Sequence, residues 1–388
     1  MCYPRHVMWL SGGDFYALPV DFPLLHSQSY QQGRVYGQDV SSGAAVDVLL
    51  QAVCPQRDTD STDKSSCSSS TTMPSSPLSS TLRILDLCCA PGQKLMALAD
   101  GLAAAASARR DTTYTVVVGV DVSSDRLAVC RRAICKYLVP AKENASTASA
   151  SPPTQQLAST QQPTSTAVTS STPRIRLYCS NGTTFGQNSS DRSNLVWDSV
   201  VAQHDTATGR KRLNKSARKR QAQQLRGVAD WDWSSQAAAI AEATADDSND
   251  STTHIQLFDA VLVDAECSTD GSVKHVAKRR RLEWTEERLP DLINLQKGLA
   301  ASGFRLLKPG GTMVYATCSL SADQNERVVE WLLKELGPKA QLVPVSFPQA
   351  PPSVRAGNLE GTLRFWPSED PKELTGGGFF LAKITKKE

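Results

Sequence analysis

Leu85-Asp86-Leu87-Cys88-Cys89-Ala90-Pro91-Gly92-Gln93-Lys94 is the stretch that decides the fold. Residues 83–87 read as a strand, and residues 92–102 as a helix entered through a tight glycine-containing loop. Pro91-Gly92 permits a sharp turn and lets backbone come close to a ligand. A helix starting there presents free N–H groups to a carboxylate. Outward from this loop, residues 114–120 form a continuous β-branched run, as a strand buried on both faces would. Asp121 ends it, and a helix follows with Leu127, Cys130, Ile134 and Leu138 on one side. Residues 174–178 and 258–263 are further short strands. Residues 289–307 are a helix stopped by Lys308-Pro309-Gly310-Gly311, and 312–316 a strand. Ser321 and Gln324 have the spacing of a capping box for a helix through Leu336. Residues 378–384 are a last strand. Strands alternating with helices predict an α/β fold with a mostly parallel sheet covered on both faces. Ligands in such sheets sit beyond the carboxyl ends of the strands.

A loop of this shape takes any nucleotide-like ligand. Asp121 is placed to accept two ribose hydroxyls, which suits a dinucleotide equally well. Neither Gly-x-Gly-x-x-Gly nor a Walker signature occurs, which disfavours a dehydrogenase or an ATPase.

The bulk numbers set limits. The chain has 388 residues, a net charge of +3 and 40% hydrophobic residues. That is enough for one large domain or two ordinary ones. Its ten cysteines form no Cys-x-x-Cys pair, so a zinc ribbon is disfavoured and no metal is expected. The first residues do not read as a signal peptide or an organelle presequence, and the cysteines read as reduced intracellular thiols. No apolar run approaches the ~20 residues of a membrane span. Three stretches are Ser/Thr/Pro-rich or of mixed charge: 55–81, 141–173 and 187–253. They read as a low-complexity linker and two insertions. The expected organisation is an N-terminal segment, 1–54, packing on a catalytic domain, 82–388.

Two cysteines stand apart. Cys267, in Val263-Asp264-Ala265-Glu266-Cys267-Ser268, and Cys318, in Val314-Tyr315-Ala316-Thr317-Cys318-Ser319, each follow an apolar strand. Thiolate addition to carbon 6 of a pyrimidine makes carbon 5 enamine-like, able to attack an activated methyl group. Sulfur serves both as nucleophile and as leaving group. Asp264 is a candidate to grip the base. Free cysteine is also among the most buried residue types. Position alone leaves catalysis and packing both open for these two, while Cys88, Cys89, Cys130, Cys135 and Cys179 read as packing.

Five motifs settle the choice. Asp86–Lys94, Gly119-Val120-Asp121-Val122-Ser123, Asp264–Ser268, Leu307–Gly311, and Tyr315–Ser319 followed by Gln324-Asn325-Glu326 together resemble the Nol/Nop/Sun (RsmB-like) family of S-adenosylmethionine-dependent RNA cytosine carbon 5 methyltransferases. Gln38-Asp39-Val40-Ser41-Ser42 resembles that family's segment ahead of the core. The resemblance implies a Rossmann-like class I methyltransferase fold with a seven-stranded sheet. It implies Cys318 as nucleophile, Cys267 as helper in product release and Asp264 as holder of the base. Cys89, Ala90, Pro91, Gly92, Lys94, Asp121, Arg126, Asn181 and Asp264 would meet S-adenosylmethionine. The implied partner is ribosomal or transfer RNA. A monomer in the nucleus, nucleolus or cytoplasm is expected, with the mitochondrion left open. Glu266 stands where the family usually has proline, and Gln93 where it usually has glycine. A glutamate beside Cys267 is expected to raise that thiol's pKa.

Lys274, His275, Lys278, Arg279, Arg280 and Arg281 follow the Cys267 motif and are candidates to meet phosphates. A second basic run, 210–226, reads as an RNA grip, an import signal or a solvated face. Two other readings stay open: a methyltransferase for a small molecule or protein, and an RNA-binding scaffold that modifies nothing.

Overall fold

The computed structural model describes residues 4–10, 15–19, 22–54, 81–109, 114–138, 172–187, 189–199, 256–272, 288–368, 370 and 376–388. A short antiparallel ribbon comes first, β1 (Arg5–His6) with β2 (Tyr16–Ala17), then α1 (Gln28–Gln31) and α2 (Val40–Val53). The alternating part follows: β3 (Leu82–Asp86), α3 (Gln93–Arg109), β4 (Thr115–Asp121), α4 (Ser124–Tyr137), β5 (Arg174–Cys179), β6 (Leu195–Asp198), β7 (Phe258–Asp264), α5 (Leu289–Arg305), β8 (Leu307–Thr317) and α6 (Glu326–Leu336). Four strands close the chain: β9 (Ala340–Val343), β10 (Val354–Ala356), β11 (Leu363–Phe365) and β12 (Phe379–Lys386).

The main sheet runs β10-β11-β12-β8-β7-β3-β4-β5-β6, with β9 also paired to β12. Its centre, β8-β7-β3-β4-β5, is parallel, as the alternation predicts. Antiparallel strands flank it on both sides and widen it to ten strands from the seven expected. The chain leaves β3 toward β4 and β5, then returns to β7 and β8 on the other side. Strand order therefore reverses between β3 and β7, which opens a crevice at their carboxyl ends.

Period-2 alternation sorts the strand side chains into two layers. Ile84, Val117, Leu177, Leu262 and Val314 pack with α2, α3 and α4. Leu85, Val118, Val261, Val263, Met313 and Tyr315 pack with α5 and α6. Nine of the 14 residues of α2 are buried, so the N-terminal helix is a core element nearly all round.

Two local expectations are corrected. Lys308-Pro309-Gly310-Gly311 does not separate helix from strand: α5 ends at Arg305, and β8 runs through those residues with a pairing slip opposite Phe258 and Ala260. Gly310, at φ 76°, supplies the backbone for that slip. The Ser321–Gln324 capping box is not formed. Asn325 is the N-cap of α6, without a side-chain cap bond, and the Gln324 side chain bonds elsewhere.

Candidate active site

Three strands of the parallel centre end in carboxylates: β3 in Asp86, β4 in Asp121 and β7 in Asp264. Beside them lies a cavity of about 360 Å³. Its walls are Asp86, residues 88–94 and Asp264, together with Gly37, Gln38, Asp39 and Ser42 from the N-terminal segment. Gly92 is irreplaceable on two counts: its φ is +110°, and a Cβ there would lie 2.7 Å from the Cys130 sulfur. Asp86 is 1% exposed, and neither of its oxygens makes a hydrogen bond of normal geometry. Burial pushes its carboxyl up to about 7, helped by the charge of Asp264 and opposed by Lys94 and the Cys88 N–H. Asp121 is buried and already engaged. It accepts the Ser123 N–H at 2.8 Å and lies 3.4 Å from Arg126, which also donates to the Ala90 carbonyl. Arg126 thus ties the loop to the end of β4. Asn181 uses its carbonyl oxygen locally, accepting from the N–H and hydroxyl of Thr183 at 3.0 and 2.9 Å. Asp121, Arg126 and Asn181 are not among the cavity walls, whereas Cys89, Ala90, Pro91, Gly92, Lys94 and Asp264 are.

The two thiols, 51 residues apart in sequence, meet with their sulfurs at 3.1 Å. Cys267 is buried and Cys318 half-buried. The Cys267 thiol is pushed well up by its hydrogen bond with Cys318, by burial, and by the charges of Cys318 and Asp264. Cys267 therefore holds its proton more firmly than a free thiol does, and the two sulfurs share a hydrogen bond. The expected direction is met, but its leading causes are these and not Glu266. The charge of exposed Glu266 is felt at Asp121. Thr269 sits in the left-handed region at φ 55°, unusual for a β-branched residue, and turns its N–H toward the Cys267 sulfur. Lys94 lies 2.6 Å from Asp264. Burial works against its charge, yet Asp264, Asp86 and Cys318 together raise its pKa, so it stays cationic next to the thiol pair.

A buried polar network fixes this geometry. Gln324 accepts the Ser268 N–H at 3.0 Å and donates to the Ser268 hydroxyl at 2.8 Å. Gln296 donates to the Glu266 carbonyl at 2.8 Å and to Gln324 at 3.2 Å. Asp270 accepts from Ser268 and from the Leu320 N–H, linking the two cysteine loops. Burial alone would raise the Asp270 pKa, but bonds from Ser268, Ser319 and Leu320 hold it below the usual carboxylate value. Behind the Cys318 loop, Arg364 donates to Glu326 at 2.7 Å and to the Leu320 carbonyl at 2.8 Å.

Of the residues singled out in the sequence, Cys267, Cys318, Asp264 and Lys94 come together. Lys274, His275, Lys278, Arg279, Arg280 and Arg281 lie outside the described residues, as does the run 210–226. Sequence reasoning noted the segment of residues 38–42 but gave Gln38 no role, and it did not single out Asp270 or Gln296. For Gln38 the signal was present, since Asp39 directly precedes an apolar helix as its N-cap. Among the described residues no group of three or more side chains could hold a metal ion, and no helix is long and apolar enough to cross a membrane.

The family described as 16S rRNA methyltransferase RsmB/F matches residues 198–385. Ribosomal RNA small subunit methyltransferase F of Aeromonas salmonicida (strain A449) is 38% identical over 133 residues, 34% of this chain and 26% of that protein. The protein of the same name from Shewanella sp. (strain ANA-3) is 38% identical over 131 residues, 33% of this chain and 26% of its own length. The chain thus matches about a quarter of the length of these relatives. A methyltransferase homolog protein from Pyrococcus horikoshii superposes with a TM-score of 0.50 at 17% identity, over 99% of this chain and 78% of that one, a likeness of fold. The stretch that carries both cysteine motifs, residues 198–385, matches the model of the RsmB/F methyltransferase family.

Proposed function

We propose that this chain methylates carbon 5 of a cytosine in RNA, with S-adenosylmethionine as donor and Cys318 as nucleophile. The observation that carries the reading is the thiol pair, 3.1 Å apart at the ends of adjacent parallel strands. The cavity beside it fits the donor's amino-acid end. It offers a buried carboxylate without a partner, a helix start with free N–H groups and a glycine that leaves room for a close approach. When bound, the donor supplies an activated methyl group. Residues 86–94, with Asp264, would hold it, and residues 82–388 would form the catalytic domain.

The Cys318 thiolate adds to carbon 6 of the base, and carbon 5 then takes the methyl carbon as the donor's methyl–sulfur bond breaks and its sulfur leaves as a neutral thioether. Water takes the carbon 5 proton, and the electron pair left behind reforms the ring double bond and expels Cys318 as thiolate. In this reading the Cys267 thiol, 3.1 Å away, donates to that sulfur and stabilises the charge that develops on it. The Lys94–Asp264 pair beside the thiols offers a cation and an acceptor to the base's polar edge. The target base must leave its stack, at a cost of a few kcal/mol if paired. The names of the matched relatives favour small-subunit ribosomal RNA as substrate, and the free thiols of all eight described cysteines favour a reducing compartment.

The test uses ribosomal RNA, methyl-labelled donor and the full chain. Cys318→Ala abolishes label transfer. Cys267→Ala accumulates a covalent protein–RNA adduct, seen as a nuclease-sensitive band on a denaturing gel. Full activity of Cys318→Ala would overturn the mechanism. A wild-type chain that binds RNA but leaves no 5-methylcytosine would be a scaffold instead.

A further inference from the structure

We infer that Gln38 is a donor-binding residue whose carboxamide grips the amino-acid end of S-adenosylmethionine; the inference rests on the methyltransferase reading. Gln38 lines the same cavity as Asp86, and both polar atoms of its amide are buried without a partner. A carboxamide carries two donors and an acceptor, and leaving it unpaired in the interior costs about 1–3 kcal/mol. Asp86, from a different segment, is buried in the same cavity and makes no hydrogen bond of normal geometry. Orphaned polar groups of this kind are rare and call for a partner.

The chemistry of the two groups defines that partner. Asp86 accepts only, so it wants a donor such as an ammonium. The Gln38 amide both donates and accepts, so it complements an ammonium and a carboxylate on one carbon. The free N–H groups at the start of α3 add further donors for the carboxylate. A pyrimidine edge is the less suitable occupant, because Cys267 and Cys318 do not line this cavity and residues 88–94 do. The position of Gln38 is anchored. Asp39 caps α2 through the Ser41 N–H at 3.1 Å, and it packs so tightly on Gly376 that a Cβ there would lie 2.3 Å from its carboxylate. The buried helix α2 holds the segment from the other side. The N-terminal segment therefore supplies a wall of the donor site as well as part of the core.

Calorimetric titration of the full chain, without RNA, separates the possibilities. The probes are S-adenosylhomocysteine, which has the amino-acid end, and 5′-methylthioadenosine, which lacks it. Gln38→Met keeps the shape and removes the hydrogen bonds. It should weaken S-adenosylhomocysteine binding by about tenfold while 5′-methylthioadenosine binding stays within about twofold. The ligand-free variant should melt no lower than wild type, because an apolar group replaces an unpaired amide. Unchanged S-adenosylhomocysteine affinity overturns the assignment. An equal loss for both probes overturns it too, since that marks a packing role. If wild type binds neither probe, the methyltransferase reading itself falls, and Gln38 with it.

Discussion

Asp86→Asn should make the ligand-free protein more stable, and increasingly so as pH rises. Asp86 is 1% exposed and makes no hydrogen bond of normal geometry. Burial, then the charge of Asp264, lifts its pKa from the ordinary 3.8 to about 7. The folded value lies above the unfolded one. The stability that this group contributes is therefore fully present below the unfolded pKa and is lost as pH rises through the folded pKa. At about 1.4 kcal/mol per pH unit, the cost of the ionisable group is about 2 kcal/mol at pH 5.5 and about 4 kcal/mol at pH 8. Asparagine keeps the shape and removes the titration. Urea unfolding of both proteins at the two pH values should show a gap in favour of the variant that widens by about 2 kcal/mol. A variant no more stable than wild type at pH 8, or a gap that does not change with pH, would refute the reasoning. Such a cost is what a site held ready for the donor's ammonium would carry. Saturating S-adenosylhomocysteine should therefore stabilise wild type more than Asp86→Asn at pH 8.

Gln324→Ala removes the acceptor of the Ser268 N–H and the partner of Gln296; it should cost about 1–3 kcal/mol by thermal denaturation and slow methyl transfer while S-adenosylhomocysteine binding holds. Glu326→Ala strands the buried Arg364 guanidinium and should cost about 3–5 kcal/mol; adding Arg364→Met should recover most of that in the same denaturation assay. Gly92→Ala forces a side chain at φ +110° against the Cys130 sulfur, which should cost about 1–3 kcal/mol and abolish S-adenosylhomocysteine binding by calorimetry. Because the backbone strain persists, trimming Cys130 to alanine should not restore that binding.

The central strands were legible because parallel strands buried on both faces read as unbroken apolar runs; residues 115–121 are the plainest case. The carboxyl-end location of the motifs followed from the fold class alone. The antiparallel widening by β6 and β9–β11 was not legible. These strands are three or four residues long, too short to display a period. The Ser321–Gln324 spacing fits a capping box, yet Gln324 gains more by satisfying the buried Ser268 loop, so tertiary demand overrode the local pattern. Glu266 was legible as a departure, but its effect was not. Whether its charge reaches Cys267 or Asp121 depends on side-chain direction, which sequence spacing does not fix.

The meeting of the two thiols is a consequence of parallel register. Asp264 pairs with Ala316, so Cys267 and Cys318 leave their strands at nearly the same height and in the same direction. The Ala265 N–H donates to the Ala316 carbonyl at 3.0 Å, and the Gly271 N–H to the Cys318 carbonyl at 3.0 Å, carrying the pairing past the strands into the loops. Gln324 and Asp270 then cross-link the loops through side chains. Backbone and side-chain ties hold the 3.1 Å approach independently, so no one polar residue is its sole support. Loss of Gln324 should therefore slow the chemistry by loosening the pair, whereas under the proposed mechanism loss of either sulfur should change what chemistry is left: without Cys318 no adduct should form, and without Cys267 the adduct should form and linger.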